Sequence, residues 1–323
     1  MFLLEVVSSQ LVYRSTLAVL TTIVVMTLAS QFGKHLYLEL ATHFRLQYVL
    51  LGITCVIVLS AFQSWKFVPI AIMCVLINVI YVVLYFGPQA KRDEQPSSTQ
   101  LRLLHVNVLK NNTNYAAVLQ LVSTNNPDLV ILQEVTDEWA EQTKLLRAAY
   151  PFWEIVSLPG GAGMAVFSRH AFADSQVLNL DSSTHVAILA RLNINEKPIS
   201  VLAMHPPTPI TPTKFKNRNL QFREAARLLN SIKGAKVLVG DLNTTMWSPY
   251  FTTLIRSSDL RDARLGFGLG TSWPMPLPPF LRLPIDHCLV SDDVQVDRLQ
   301  IGPKIGSDHL PVIVDLSFSN LIS

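Results

Sequence analysis

Three long segments without a charged side chain lie in the first ninety residues, and they constrain the fold more than any other feature. They are Ser15–Gly33, Leu46–Trp65 and Phe67–Ala90. A helix needs about 20 residues to cross the roughly 30 Å hydrocarbon core of a bilayer, and each segment is long enough. We therefore expect three transmembrane helices. Buried helices of a soluble domain are the alternative, and a cleaved signal peptide is a further alternative for the threonine-rich first segment.

The lysine and arginine residues that flank these segments predict an orientation, because basic residues are enriched on the cytoplasmic side. If all three segments span the membrane, Arg14 and Lys66 share one side. The other side carries Lys34, Arg45, Lys91 and Arg92. The count of four to two favours a cytoplasmic C-terminal part, although one missed or additional span would reverse it. We expect a multi-pass protein of the plasma (inner) membrane.

The chain divides into a membrane block (1–90), a linker (91–100) and a globular part (101–323). The stretch Gly87–Gln100 is polar and contains two prolines, which is typical of a linker. From residue 101 onward there are 20 Lys+Arg and 19 Asp+Glu residues, so the globular part is nearly neutral. Non-specific nucleic-acid binding depends on neutralising phosphates, and this balance argues against a large surface of that kind.

One basic stretch stands out within the globular part. Its members are Lys214, Lys216, Arg218, Arg223 and Arg227. We interpret it as the solvated face of a helix rather than as a binding cleft, which stays open as the alternative.

Short apolar runs alternate with amphipathic runs along the globular part, and this pattern predicts an α/β protein with layered sheets. The predicted strands are Arg102–Val108, Leu129–Leu132, Ala165–Phe167, Ala187–Leu192, Ile199–Met204, Val237–Val239, Ile285–Val290 and Pro311–Leu316. The predicted helices are Asn114–Thr124, Asp137–Ala149 and Phe215–Ile232.

Polar groups stand where several of these strands begin or end. Asp241 and Asn243 follow one apolar run, Asp286 and His287 precede another, and Asp308-His309 precedes a third. Strand ends can hold such groups rigidly enough for metal binding or proton transfer. Each motif alone has a structural alternative, which for Gly240-Asp241-Leu242-Asn243 is a simple turn.

Three further strand ends carry polar residues: Asn107, Glu134 and His205. A carboxylate at the end of an apolar strand requires a cation or another partner. Taken alone, Glu134 fits a loop acid as well as a metal ligand, and His205 fits a structural histidine.

Together the motifs resemble the endonuclease/exonuclease/phosphatase superfamily, a group that includes deoxyribonuclease-I-like nucleases, abasic-site endonucleases, neutral sphingomyelinases and inositol-polyphosphate 5-phosphatases. The resemblance covers about residues 101–318. In order, the motifs are Asn107, Gln133-Glu134, Ser168-Arg169, His205, Gly240-Asp241-Leu242-Asn243, Ile285-Asp286-His287 and Gly306-Ser307-Asp308-His309.

This resemblance implies a four-layer α/β sandwich with two central mixed sheets and hydrolysis of a phosphoester with Mg²⁺ or Mn²⁺. It implies a metal site formed by Glu134, Asn107 and Asp308. Magnesium prefers oxygen ligands and keeps several waters, so one or two carboxylates suffice. Zinc fits less well, because the candidate ligands lack closely spaced Cys and His residues.

The resemblance also implies the catalytic roles. Asp241 would align or deprotonate the attacking water, and Asn243 would hold the phosphate or help to place the nucleophile. His309 would contact the scissile phosphate while Asp286 orients its ring. His205 matches a second active-site histidine of the nuclease and sphingomyelinase branches.

The substrate class stays open at this point. Nucleic acid is the first candidate, and a phospholipid or lipid-linked phosphoester follows closely, since the membrane block would place the site beside a bilayer. A catalytically silent, membrane-anchored binding module is the non-enzymatic alternative. The stretch Pro274–Pro284 after Trp273 would shape substrate access, or the tryptophan would only pack. Asp259 and Asp262 are expected at the surface.

Overall fold

The computed structural model describes residues 2–87, 99–181 and 183–318, with side chains described from residue 8 onward. The chain forms two compact units. The first holds the N-terminal helices up to Gly87 together with Trp247–Pro249, and the second holds the remainder. Most of the linker predicted at 91–100 lies outside the described residues.

The N-terminal unit is helical, as the sequence predicts. Its helices are α1 (Phe2–Ala29), α2 (Leu36–Leu40), α3 (Arg45–Ala61) and α4 (Val68–Val83). Joined by short 3₁₀ turns, they include three stretches long and apolar enough to cross a membrane: Ser8–Phe32, Leu36–Ala61 and Val68–Phe86. The first two begin earlier than the charge-free segments, so Arg14 and Arg45 lie inside candidate spans and not beside them.

A buried polar network lies within this helical unit. Arg45 on α3 donates a hydrogen bond to Oδ1 of Asn78 on α4 at 2.9 Å, and Asn78 Nδ2 donates to Oγ1 of Thr27 on α1 at 2.9 Å. All three side chains are buried. Polar side chains in membrane helices face the bundle interior and pair with one another, and this network joins all three long helices in that way.

The second unit contains two six-stranded sheets flanked by helices, which confirms the predicted α/β sandwich with two mixed sheets. The first sheet comprises β1 (Thr99–Asn107), β2 (Leu129–Gln133), β3 (Phe152–Val156), β4 (Met164–Ser168), β11 (Val294–Ile301) and β12 (Val312–Phe318). Their order across the sheet is β11-β12-β1-β2-β4-β3.

The second sheet comprises β5 (Phe172–Leu178), β6 (Ala187–Ile194), β7 (Lys197–Met204), β8 (Ala235–Asp241), β9 (Arg261–Asp262) and β10 (Asp286–Val290). Their order is β5-β6-β7-β8-β10-β9. Both sheets are mixed, because β1–β2 and β7–β8 are parallel and the other neighbours are antiparallel. The flanking helices are α5 (Tyr115–Asn125), α6 (Asp137–Gln142), α7 (Pro212–Ser231) and α8 (Pro249–Ser258). Every predicted strand and helix is present. The helix predicted over Asp137–Ala149 ends at Gln142 and continues as a 3₁₀ turn.

Successive side chains of a strand alternate between the two faces of the sheet, and this alternation explains how the site arises. Leu101 and Leu103 of β1 belong to the core between the two sheets, whereas Leu104 and Val106 pack with the cluster that contains helix α5. Successive side chains point to opposite faces of a sheet. Asn107 therefore continues the face of Leu101 and Leu103 and points between the sheets.

The same alternation of faces holds for two other strands, β8 and β10. Val237 and Val239 of β8 belong to the core between the sheets, and Asp241 continues their face. Cys288 and Val290 of β10 belong to it as well, and Asp286 shares their face. The polar ends of these strands thus close one end of the core between the two sheets.

Candidate active site

Strand register brings the two aspartates of the second sheet side by side. In the antiparallel pairing of β8 with β10, Asp241 lies opposite Asp286. In the first sheet, Asn107 at the end of β1 lies opposite Gln133 at the end of β2. Each sheet contributes one pair of polar residues, and the pairs face each other across the end of the core.

Asp241 lies at the centre of the site. Its Oδ2 atom is 3.4 Å from Nε2 of His205 and 3.6 Å from Nε2 of His309, and it accepts a hydrogen bond from Asn107 Nδ2 at 3.3 Å. Its Oδ1 atom accepts the backbone N–H of Asn243 at 2.9 Å. Burial favours a raised pKa for Asp241, but the charge of His309 and the hydrogen bond with His205 outweigh it and lower the pKa. Asp241 is therefore a buried carboxylate held between two imidazoles.

Asp286 and His309 form a buried pair. Nδ1 of His309 lies 2.9 Å from Oδ2 of Asp286, which also accepts a hydrogen bond from the hydroxyl of Ser272. Burial alone lowers the pKa of His309, but the charges of Asp286 and Asp241 raise it to about 10. Burial raises the pKa of Asp286, and the charge of His309 more than offsets this and holds it at about 2. The pair is thus an imidazolium beside a carboxylate at neutral pH.

His205 is the second buried histidine beside Asp241. Burial lowers its pKa, and the hydrogen bond and charge of Asp241 raise it by more, so the net shift is upward. Its ring lies edge to face with that of His185, 5.9 Å between centroids. Burial and the charge of His205 lower the pKa of His185 to about 4.

Glu134 follows β2 in a backbone conformation that is rare for residues other than glycine, with φ of 63°. Its Oε1 accepts a hydrogen bond from Asn107 Nδ2 at 3.1 Å, and its Oε2 accepts the backbone N–H of Lys110 at 3.0 Å. Gly161 lies against this carboxylate. A Cβ atom there would be 3.3 Å from Oε2 of Glu134, so a larger residue would press on it.

Asp308 is held by the loop that follows Gly270. Nε1 of Trp273 donates to Oδ2 of Asp308 at 3.0 Å, and the N–H of Met275 donates to its carbonyl at 2.7 Å. The other carboxylate oxygen, Oδ1, is buried and has no hydrogen-bond partner among the described residues. The neighbouring Ser307 hydroxyl donates to the carbonyl of Asn107 at 2.8 Å, which places this segment beside the end of β1.

The oxygen atoms of the predicted metal ligands suit a hard divalent cation. Glu134 and Asp308 offer carboxylate oxygens, which Mg²⁺ and Mn²⁺ prefer. The third predicted ligand, Asn107, presents Nδ2 to Glu134, and its Oδ1 accepts the backbone N–H of Leu109 at 3.0 Å, which leaves one lone pair of this oxygen for an ion. A buried carboxylate oxygen without a partner, as in Asp308, is costly unless a cation or a donor satisfies it.

A second group of possible ligands lies close by. Within the described residues, Asp241, Asp286 and His309 have ligand atoms within 4.8 Å of one another. Asp286 already engages Nδ1 of His309 at 2.9 Å, so only Nε2 of this ring is left for an ion or a phosphate oxygen.

Asn243 turns toward the site with φ of 50°. The Nδ2 atom of Asn243 donates to the carbonyl of Pro206 at 3.0 Å. The backbone carbonyl of Asn243 accepts a hydrogen bond from Arg218 Nη1 at 3.2 Å. The interpretation of the basic stretch as a solvated face is wrong at Arg218, which is fully buried. Nothing in the sequence distinguishes Arg218 from the other basic residues of this stretch, so its burial against Asn243 could not be predicted.

Gln133 connects the two sheets behind the carboxylates. Its side chain is fully buried, its Oε1 accepts the backbone N–H of Asp241 at 2.9 Å, and its Nε2 donates to the carbonyl of Met204 at 2.9 Å. Gln133 Oε1 also lies 3.0 Å from Nε2 of His105. Gly240 leaves room for it, since a Cβ atom at that position would lie 2.4 Å from Gln133 Nε2.

His287 and Arg264 form a second buried contact that, like Gln133, supports the residues of the site. Arg264 Nη1 lies 2.8 Å from Nδ1 of His287, whose Nε2 lies 2.8 Å from the carbonyl of Thr244. Arginine only donates and a carbonyl only accepts, so His287 is neutral with its proton on Nε2. The expectation that Asp262 is exposed is wrong, because it is buried and its Oδ1 lies 3.7 Å from Arg264 Nη1.

Ser168 and Arg169 do not join the other motifs. Ser168 pairs with Leu129 at the start of β2, the end opposite Gln133, and its hydroxyl donates to the carbonyl of His170 at 2.8 Å. Arg169 hydrogen-bonds the side chain of Asn126. These two residues support the sheet away from the site.

Comparison with known proteins agrees with this geometry. Residues 104–309 match the Endonuclease/Exonuclease/phosphatase family. The chain belongs to this family. Members are phosphoric ester hydrolases, and they generally use divalent metals. No curated protein sequence matches the chain significantly.

Solved structures of the same fold resemble the second unit. They include TDP2 from D. rerio complexed with single-strand DNA product, at 15% identity and a TM-score of 0.59 over 68% of this chain and 99% of that one. The human Nocturnin catalytic domain with bound sulfate shares 20% identity, with a TM-score of 0.57 over 68% and 95%. An endonuclease/exonuclease/phosphatase from Beutenbergia cavernae shares 21%, with a TM-score of 0.56 over 68% and 72%. At these identities the likeness concerns the fold.

Proposed function

We propose that this protein is a membrane-tethered phosphodiesterase that uses Mg²⁺ or Mn²⁺ and hydrolyses its substrate by direct attack of water. The observation that carries the proposal is the position of Asp241, whose Oδ2 lies within 3.6 Å of both His205 and His309. A carboxylate between two imidazoles can orient a water and accept its proton.

His309 stabilises the charge that develops on the phosphoryl group. Asp286 holds Nδ1 of its ring, so Nε2 is left to face the phosphate oxygens. Preorganised donors in a buried site stabilise a transition state because they need not reorganise during the reaction. Asn243 holds a phosphate oxygen or helps to place the nucleophile, with its loop fixed by Arg218.

His205 contacts the same carboxylate oxygen of Asp241, and it assists the leaving oxygen or steadies the transition state. Its upward-shifted pKa fits a donor of a proton or of a hydrogen bond. Because Asp241, His205 and His309 are linked through one carboxylate oxygen, the loss of one disturbs the others.

Glu134, Asn107 and Asp308 hold the cation. A bound divalent ion supplies polarisation of the phosphoryl oxygens and offsets charge at the leaving oxygen. The hydrogen bonds that Lys110 and Asn107 give to Glu134 fix its carboxylate, and Trp273 fixes Asp308.

The membrane tether is the second part of the proposal. It is supported by three apolar stretches of sufficient length and by the burial of the hydrogen-bonded residues Thr27, Arg45 and Asn78 within them.

We place the catalytic unit in the cytoplasm, at the plasma (inner) membrane, on the balance of basic residues outside the spans. Lys34, Lys91 and Arg92 are on that side and Lys66 is on the other, since Arg14 and Arg45 lie inside spans. Of these, Lys91 and Arg92 lie outside the described residues.

The test uses the full chain, purified in detergent and in lipid nanodiscs. Plasmid DNA, RNA, sphingomyelin, phosphatidylinositol phosphates and a chromogenic bis-phosphodiester are assayed with Mg²⁺, Mn²⁺ or EDTA, beside Asp241→Asn. The proposal predicts hydrolysis of at least the chromogenic ester that EDTA and Asp241→Asn abolish. A folded protein without any metal-dependent turnover would instead support a catalytically silent binding module.

Nucleic acid is the substrate class that the motifs first suggest, and the D. rerio TDP2 structure holds a single-strand DNA product. Salt discriminates this class, since cleavage of nucleic acid weakens steeply as salt rises. Hydrolysis of a lipid depends instead on whether the lipid is offered in a bilayer or in detergent.

A further inference from the structure

Six consecutive apolar residues are exposed beside the active site. This segment, Pro276–Leu281, is called the apolar loop below, and each of its residues lies at the surface. The exposed fractions of Leu277, Phe280 and Leu281 are 39%, 52% and 41%. Soluble domains rarely expose contiguous apolar runs unless the run contacts another molecule or a membrane.

The apolar loop directly follows residues that hydrogen-bond the site residues Asp286 and Asp308. Trp273, three residues earlier, donates to Oδ2 of Asp308, and Met275 donates to the carbonyl of Asp308. Ser272 donates to Asp286. The loop is therefore fixed to the rim of the site, and whatever covers it lies next to the substrate.

Internal hydrogen bonds and prolines hold the loop in an open conformation. The N–H groups of Leu277 and Leu281 donate to the carbonyls of Pro274 and Pro278 at 3.1 and 2.9 Å. Arg282 Nε donates to the carbonyl of Leu277 at 2.6 Å. A segment ordered in advance loses little entropy on binding, which favours its use as a contact surface.

A second exposed apolar residue lies close along the chain to another catalytic residue. Ile210 follows His205 by five positions in a stretch with three prolines, and 72% of its side chain is exposed. The segment that leaves His205 and the segment that follows Trp273 thus both end in exposed apolar side chains.

We propose that the apolar loop docks into the surface of a lipid bilayer, so that the site acts on phosphodiester groups of lipids in that bilayer. This inference rests on the proposed phosphodiesterase function. Leucine, phenylalanine and proline contribute apolar area without charge, which suits the boundary between headgroups and acyl chains. Arg282, the next residue, adds a positive charge of the kind that anionic headgroups attract.

Two features favour a bilayer over nucleic acid as the partner. The chain carries three candidate membrane spans, which keep its catalytic unit near a lipid surface at high effective concentration. Nucleic acid is bound mainly through phosphate contacts from basic and hydrogen-bonding side chains. The apolar loop offers neither between Pro276 and Leu281.

The first test measures docking without any activity. Phe280→Cys carries an environment-sensitive fluorophore in the full chain in phosphatidylcholine and phosphatidylglycerol nanodiscs, with or without spin-labelled quencher lipids. Leu145→Cys is the matched control, since Leu145 is also apolar and 70% exposed. The three native cysteines are buried, and labelling of the unsubstituted protein measures their background. Strong quenching at position 280 and weak quenching at 145 is expected, and equal quenching at both positions overturns the proposal.

The second test measures the consequence for substrate use. Leu277→Ser, Phe280→Ser and Leu281→Ser are combined, and Leu145→Ser with Val177→Ser is the control. We expect hydrolysis of phosphatidylcholine, phosphatidylglycerol or sphingomyelin in nanodiscs to fall about tenfold or more, since each lost side chain removes buried apolar area. Turnover of the soluble chromogenic ester stays unchanged.

The outcomes separate this inference from the function beneath it. Absence of all metal-dependent hydrolysis refutes the proposed function, and the quenching result still decides the docking. Turnover of the soluble ester without turnover of any bilayer lipid overturns the lipid substrate. A triple variant that loses DNA or RNA cleavage, with no effect on lipid, assigns the loop to nucleic acid.

Discussion

Nδ1 of His309 lies 2.9 Å from a carboxylate oxygen of Asp286, and that same oxygen accepts the hydroxyl of Ser272. The two residues come from different sheets, since Asp286 begins β10 and His309 precedes β12. Their pairing therefore depends on the correct packing of the sandwich. It orients the imidazole and keeps its charge, the two properties that a phosphate-binding histidine requires.

Replacing Asp286 with Asn removes the charge and keeps the shape. We expect kcat to fall about 10²–10⁴-fold, in the range of general acid–base effects, because His309 loses the partner that keeps it protonated. Steady-state kinetics on the chromogenic ester measure this, and ¹⁵N NMR of the His309 ring reports its protonation. Asp174→Asn is the control, since Asp174 is a partly exposed partner of Arg191. A wild-type kcat in Asp286→Asn would remove this pair from the mechanism.

Replacing Glu134 with Gln weakens the proposed metal site. One anionic ligand is lost, and only one of the two hydrogen bonds from Asn107 and Lys110 keeps an oxygen acceptor. We expect Mn²⁺ affinity to fall at least about 10–100-fold, the range typical even of residues that only support a metal ligand. Electron paramagnetic resonance of free Mn²⁺ measures it in the full chain. The control is Glu154→Gln, whose carboxylate bonds Ser175 away from the site. Equal Mn²⁺ affinity in both variants would show that the metal lies elsewhere.

Replacing Trp273 with Phe removes the donor to Oδ2 of Asp308 and retains most of the ring. The carboxylate then loses its fixed orientation, so we expect weaker metal binding and a lower kcat. The free energy of unfolding should fall by about 1–3 kcal/mol, the cost of a buried acceptor left without its donor. Trp153→Phe is the control, because that ring packs on Arg147 at the surface. If Trp273 only packs, its loss changes stability and leaves Mn²⁺ affinity unchanged.

His287 predicts a pH dependence of stability. Burial and the charge of Arg264 hold its pKa well below the ordinary value of 6.5. In the folded state the ring stays neutral, while in the unfolded chain it gains a proton as the pH falls below about 6.5. The stability linked to the neutral ring is therefore complete above that pH and is lost as the pH falls toward the folded pKa.

Thermal unfolding of the full chain in detergent, followed by tryptophan fluorescence between neutral and mildly acidic pH, measures this effect. His287→Phe should be less stable at neutral pH, because Arg264 and Thr244 lose a partner, and it should show a shallower fall toward acidic pH. His170→Asn, at a partly exposed histidine, should keep the wild-type slope. An unchanged slope in His287→Phe would mean that this histidine does not contribute to acid sensitivity.

The sequence predicted the strands that carry the site because those strands are buried on both faces. β2 and β10 are buried at every position, and such strands appear as continuous apolar runs. The polar residues at their ends then stand out against the apolar background. Four strands were missed. β9 has only two residues, and β3, β5 and β11 contain exposed residues or mix polar and apolar residues. α8 was also missed, because Pro249–Ser258 is a short segment of polar and aromatic residues.

The supporting residues could not be predicted in the same way. Arg218 belongs to a basic helix run, and Arg264 lies in a stretch expected at the surface, so neither shows from sequence that it will be buried. Gln133 was part of a recognised motif, but its role as a link between the sheets depends on Gly240 and Met204, more than seventy residues farther along the chain. Long-range packing of this kind is not encoded in local periodicity.

The most direct test of the central claim is turnover of a chromogenic bis-phosphodiester by the purified full chain with Mg²⁺ or Mn²⁺, in parallel with Asp241→Asn and with EDTA. The account predicts hydrolysis that requires the metal and falls to background in Asp241→Asn, although the variant remains folded and still binds Mn²⁺. Hydrolysis that persists in Asp241→Asn, or that EDTA leaves unchanged, would contradict the mechanism proposed for this site.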